Sequence, residues 1–122
     1  MMIWRFGRKR VVMDYRQGDI VLVNFNPAKG EEIPKIRPAI IVSRNDQNME
    51  LDVIIVVPLS TKTLKGLEPF RISIAKRGAL KNDSDALTYH IRAISKRRVI
   101  EKIASVSEQE LQKIKQAICE VI

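Results

Sequence analysis

The chain has 122 residues, with 22 Lys and Arg against 14 Asp and Glu, for a formal net charge of +8. That length suits one compact domain, and a composition 45% apolar and 30% charged is that of a folded rather than a disordered protein. One cysteine, Cys119, excludes an internal disulfide framework and a multi-thiolate zinc site and fits a reducing cytoplasm, while 5% aromatics disfavour a binder built mainly on stacked rings.

Residues 1–13 carry Arg5, Arg8, Lys9 and Arg10 and no acid, and read as a basic extension ahead of a domain over 14–122. No apolar stretch of the signal-peptide kind follows those cations. The longest apolar runs, 39–42 and 53–59, fall far below the roughly 18 residues of a spanning helix, so a cytoplasmic protein with no membrane partner is expected.

A strand is predicted over 19–25, rich in Ile and Val and closed by the turn dipeptide Asn26-Pro27. A polar loop covers 28–36. The strand predicted over 37–43 carries Pro38 near its start, where a missing N–H is tolerated. Residues 44–50 read as a turn-rich loop, and 52–59, apolar on both faces, as a central strand. Beyond a loop over 60–68, Phe70, Ile72 and Ile74 alternate with Arg71 and Ser73 at the period of a half-buried strand. Residues 75–85 read as loop, and 86–94 and 99–106 as two more strands. The chain closes on a helix whose Ser107 and Glu110 form an S-x-x-E capping box. Its Leu111, Ile114, Ile118 and Val121 share one face, and Cys119 reads as a small packing residue. Six short strands and a terminal helix predict a mainly β (α+β) fold, a small barrel or curled sheet plugged by the helix.

Several chemistries lack their signatures. Neither a G-x-x-x-x-G-K nor a G-x-G-x-x-G motif occurs, and one His with one Cys cannot supply a typical zinc site, so neither cofactor nor metal is expected. His90 stands without a G-x-S-x-G elbow, which argues against a Ser-His-Asp hydrolase. The basic balance favours phosphate-bearing partners. DNA hydrolysis commonly relies on metal ions, whereas RNA carries its own nucleophile in the 2′-OH. A basic chain without metal ligands therefore fits RNA cleavage better than DNA cleavage. Its cations inside the predicted fold cluster at Arg92, Lys96, Arg97, Arg98 and Lys102, offset only by Glu101.

Three segments then resemble the MazF/PemK-type toxin endoribonucleases in the right order. They are GDIVLVNFNPAKGEEIPKIRPAIIVS at 18–43, VIIVVPLST at 53–61 and HIRAISKRRVIEKIASVSEQELQKI at 90–114. The resemblance implies an SH3-like barrel with a C-terminal helix and a homodimer. It implies metal-independent, sequence-specific cleavage of single-stranded RNA, giving 2′,3′-cyclic phosphate and 5′-OH ends. It also implies a cognate antitoxin whose acidic tail blocks the RNA groove.

Arg37 matches the family's catalytic arginine, and a guanidinium can clamp two phosphate oxygens as charge builds in the transition state. Ser60, with Thr61 as its alternative, falls at the family's hydroxyl position, and Glu32 at its loop glutamate. Arg92 matches a retained RNA-contacting arginine, with Lys62, Lys96, Arg97 and Arg98 as further phosphate binders. The chain departs from the family at the usual carboxylate, here Tyr89, at the Gln, here His90, and at Ala93 and Ser95. His90 could take over proton transfer, since imidazoles in general titrate near neutrality. Each residue also has a structural reading: Arg37 as a surface cation, Ser60 as a turn hydroxyl, Glu32 as solvated loop and His90 as an exposed strand residue. For the whole chain the alternatives are a non-catalytic SH3-like module binding RNA or a peptide, or a protein-directed toxin inhibiting a topoisomerase.

Overall fold

The computed structural model describes residues 15–26 and 35–122. The basic extension over 1–13 and the loop position Glu32 lie outside the described residues. The elements run β1 (Asp19–Asn24), β2 (Ile36–Ile41), α1 (Asn45–Glu50), β3 (Val53–Ser60), β4 (Arg71–Ile74), β5 (Ser84–Leu87), β6 (Arg92–Ser95), β7 (Val99–Ser105) and α2 (Glu108–Val121). Among the described residues this is seven strands, not six, in one antiparallel sheet ordered β4-β5-β3-β2-β1-β7, with β6 also on β3. The path runs open from β4 to β7, so the molecule is a curled sheet that fits the barrel description only loosely.

β3 is the hub because it is apolar on both faces. Val57 and Leu59 join Ile20, Ile40, Ile72 and Ile74 in one cluster, against which Ile114 and Ala117 of α2 pack. Ile54 and Val56 join Val21, Val23, Ala39, Ile41 and Ile94 in a second cluster on the other face. Strand alternation thus splits each strand between a helix-covered face and the face that carries the cleft described below.

Three expectations are corrected. Residues 44–50 form helix α1, which polar contacts rather than an apolar stripe hold in place. Asn48 is buried, accepting a hydrogen bond from the Ser43 hydroxyl and donating to the Ser43 carbonyl at 3.1 Å, while Asn45 accepts the Gln17 N–H at 2.7 Å. The single strand expected over 86–94 is two. β5 pairs Leu59 with Ala86, whereas β6 pairs Val56 with Arg92, so the two ladders on β3 differ in register by three residues. The 3-10 turn Thr88–His90 absorbs that difference and carries His90 out of the sheet. Third, the loop expected over 75–85 ends early, because Ser84 and Asp85 already belong to β5 and are buried.

The terminal helix behaves as its pattern requires. Ser107 and Glu110 close the capping box, with the Ser107 N–H donating to Glu110 Oε1 at 2.8 Å and the Glu110 N–H to Ser107 Oγ at 3.1 Å. Leu111, Ile114 and Ala117 are buried, but Cys119 is exposed. Five residues past Ile114 it stands about 140° around the helix, so it does not pack. The described residues include no helix long and apolar enough to cross a membrane.

Glu110 also receives the Arg77 guanidinium, Nη2 donating to Oε2 at 2.7 Å. That bond, with the Ser107 N–H, holds its carboxyl well below the usual range, lowered to about 2. A depressed folded-state value means the contribution is complete above the unfolded value of about 4.5 and is lost as the pH falls from there toward 2. Glu110 is 29% exposed, so solvent screening leaves about 1–2 kcal/mol. Glu110→Gln is expected to be less stable than the parent by that amount at pH 7 and equal to it near pH 2, in urea titrations along the pH axis.

Candidate functional site

The cleft-bearing face of the sheet collects side chains of like parity from neighbouring strands. Ala39 pairs with Pro58 at the end of the β2–β3 ladder, and Arg37 of β2 and Ser60 of β3 each lie two residues beyond that pair, with the same parity. Ser60 in turn pairs with Asp85 of β5, and Val56 with Arg92 of β6. Where these strands meet, a cleft of about 340 Å³ is lined by Phe25, Asn26, Lys35, Arg37, Pro58, Leu87, His90 and Arg92. Pro58 and Leu87 are buried and supply an apolar floor. The Arg92 guanidinium lies 5.2 Å from the centroid of Phe25, a cation–π contact that fixes a flexible cation at the rim. His90 is held from the other side, its ring centroid 4.5 Å from that of Tyr89.

Three basic side chains, an imidazole and an amide therefore converge on one cavity, and no carboxylate stands among its described lining residues. Such a donor set attracts an anion and repels a metal ion. Among the described residues no cluster of His, Cys, Asp and Glu could hold a metal ion.

Of the residues singled out in the sequence, Arg37, His90 and Arg92 line this cleft. Ser60 ends β3 on the same face, its Oγ accepting the Lys62 N–H at 3.2 Å in a hydroxyl turn. Thr61 and Lys62 follow in the exposed loop and do not line the cleft. The basic run separates. Arg98 donates from Nη1 to the Asn24 carbonyl at 3.2 Å, beside Phe25, whereas Lys96 donates its N–H to Asp52 at the other end of β3. Arg97 is exposed outside the cleft, and Lys102 is tied to Asp19 at 3.2 Å.

Besides the apolar floor of Pro58 and Leu87, three cleft residues went unread in the sequence: Phe25, Asn26 and Lys35. Two of them follow from parity alone, since Phe25 continues the alternation of Val21 and Val23, and Lys35 stands two residues before Arg37. Also unread was a buried ion pair next to the cleft. Arg71 Nη1 lies 3.1 Å from Asp85 Oδ2, with Asp85 only 1% exposed.

Comparison with known proteins agrees with this architecture. Residues 16–122 match a family described as the PemK-like, MazF-like toxin of type II toxin–antitoxin systems. Endoribonuclease MazF of Staphylococcus saprophyticus is 30% identical over 104 residues, 84% of this chain and 87% of the relative. Crystalline MazE–MazF of Deinococcus radiodurans superposes with a TM-score of 0.74 at 22% identity, covering 90% of this chain and 96% of that one. A mycobacterial endoribonuclease in complex with its cognate antitoxin gives 0.66 at 17% identity, covering 89% and 93%.

Proposed function

Because this chain belongs to the PemK-like, MazF-like family of type II toxin–antitoxin toxins and shares its endoribonuclease activity, we propose that it cleaves single-stranded messenger RNA in the cytoplasm, at short sequences and without a metal ion. The observation that carries this reading is the convergence of Lys35, Arg37, Arg92 and His90 on one cleft without a described carboxylate.

In this mechanism the ribose 2′ oxygen attacks the adjacent phosphorus as the bond to the 5′ oxygen breaks. The products are a 2′,3′-cyclic phosphate and a 5′-OH. Arg37 clamps the phosphoryl oxygens while charge accumulates on them. A guanidinium is in general a poor proton acceptor, so its part is charge stabilisation. His90 takes the 2′ proton or returns one to the departing oxygen, the task that the family's carboxylate would otherwise serve. Ser60, on the same face as Arg37, orients the phosphate through its hydroxyl. Arg92 with Phe25 seats a neighbouring nucleotide, the ring offering a face to a base and the guanidinium a charge to its phosphate. Thr61, Lys62 and Arg98 contact the flanking backbone. A homodimer is the proposed assembly. The same cations suit an acidic antitoxin segment, which would compete with RNA for the cleft.

Incubation of the purified protein with a long mRNA in EDTA, followed by end analysis, tests this reading. Discrete fragments with cyclic phosphate and 5′-OH ends are expected. RNA left intact, or cut only after metal is added back, contradicts it.

A further inference from the structure

We propose that Arg71 and Asp85 form a buried positioning pair that holds the loop after β3, and with it Ser60, against the cleft. The inference rests on the reading above, in which Ser60 and His90 serve RNA cleavage.

The pair is unusual for a structural device. Asp85 is 1% and Arg71 13% exposed, and an ion pair removed so far from water contributes little net stability. Apolar side chains on adjacent strands would hold β4 to β5 as well. What they could not do is satisfy the backbone of the neighbouring loop. Asp85 Oδ2 accepts the Leu64 N–H at 2.9 Å, and Arg71 Nη1 donates to the Lys62 carbonyl at 2.9 Å. The Lys62 N–H closes the turn on Ser60 Oγ. Residues 61–68 are exposed, so polar bonds rather than burial set the path of this loop.

The pair also sits where positioning is needed. Asp85 is the direct cross-strand partner of Ser60, on the face that carries Arg37. The Arg71 guanidinium is held above its ordinary range chiefly by its hydrogen bond to Asp85, with the nearby Tyr89 acting in the same direction. Tyr89 is the residue whose ring packs on His90. One cation thus ties the loop that follows Ser60 to the strand that pairs with it.

The test uses a fluorogenic oligoribonucleotide built around a site that the full-length wild-type protein cuts in a long mRNA. Arg71→Met/Asp85→Leu replaces the pair by apolar side chains, which preserves burial while releasing the loop. The expected result is native circular dichroism and a kcat lower by about 100-fold with KM changed less than about threefold. Amide exchange at Lys62 and Leu64 should accelerate while the core of β3 stays protected. Should the double variant fail to fold, Asp85→Asn replaces it, with an expected loss of about tenfold in kcat and the same local exchange. A folded variant with wild-type kcat, or one whose whole loss lies in KM, overturns the positioning pair. Wild-type protein that cuts no RNA overturns the cleavage reading itself, so the two failures are distinct.

Discussion

Arg37→Ala is expected to lower kcat for RNA cleavage by about 10²–10³, equivalent to roughly 3–4 kcal/mol of lost transition-state stabilisation. The side chain is exposed at the cleft, so its removal leaves no cavity and the thermal midpoint should move little. The magnitude follows from where the charge develops. Oxygens on the reacting phosphorus gain charge only as the 2′ oxygen closes on it, so a cation fixed beside them stabilises the transition state more than the bound substrate. Neighbouring Lys35 and Arg92 keep RNA attracted to the cleft, so the defect should appear in kcat more than in KM. Arg37→Lys should recover only part of the loss, because an ammonium cannot clamp two oxygens at once. Single-turnover cleavage of a defined oligoribonucleotide, measured beside thermal unfolding, gives both numbers. Wild-type kcat in folded Arg37→Ala would falsify the assignment.

Ile114→Ala should destabilise the fold by about 3 kcal/mol, within the range of roughly 2–5 for large-to-small changes in a core. Ile114 is fully buried on α2 and packs in the cluster with Ile20, Ile40, Val57 and Leu59. Truncation removes apolar surface and leaves a void, which strands pinned by their ladders can only partly fill. A lower melting temperature by about 10 °C is expected for a chain of this length. Cys119→Ser on the same helix is the control: its side chain is exposed, and its effect should stay within about 0.5 kcal/mol. A shift of under about 2 °C for Ile114→Ala would mean that α2 is not the lid of this core.

Much of the fold was legible from local chemistry. The run from Val53 to Leu59 is apolar without alternation, which demands burial on both faces, and it became the strand on which three others pair. The capping box at Ser107 and Glu110 is a contact between residues three apart, so no distant partner was needed to read it. Helix α1 was not legible, because it carries no apolar stripe and its order comes from polar bonds, a local one between Ser43 and Asn48 and a distant one between Gln17 and Asn45. Nor was the break between β5 and β6. Their residues read as one continuous strand, and only the three-residue register difference against β3 forces the turn that presents His90.

The candidate site divides along the same line. The family motifs, the cation at Arg37 and the substitution of His90 for the usual glutamine are properties of the amino-acid string, readable because they depend on residue type and order alone. That Arg37 and Ser60 share one face, that Phe25 carries Arg92, and that Lys35 joins Arg37 in the cleft depends on which strands become neighbours and in what register. The Arg71–Asp85 pair is the clearest case. Nothing in two charges fourteen residues apart announces a bond, and Asp85 lay in a stretch that read as polar loop. Sheet pairing buries Asp85 and half-buries Arg71, and that turns an ordinary arginine and aspartate into partners that must satisfy one another and the loop beside them.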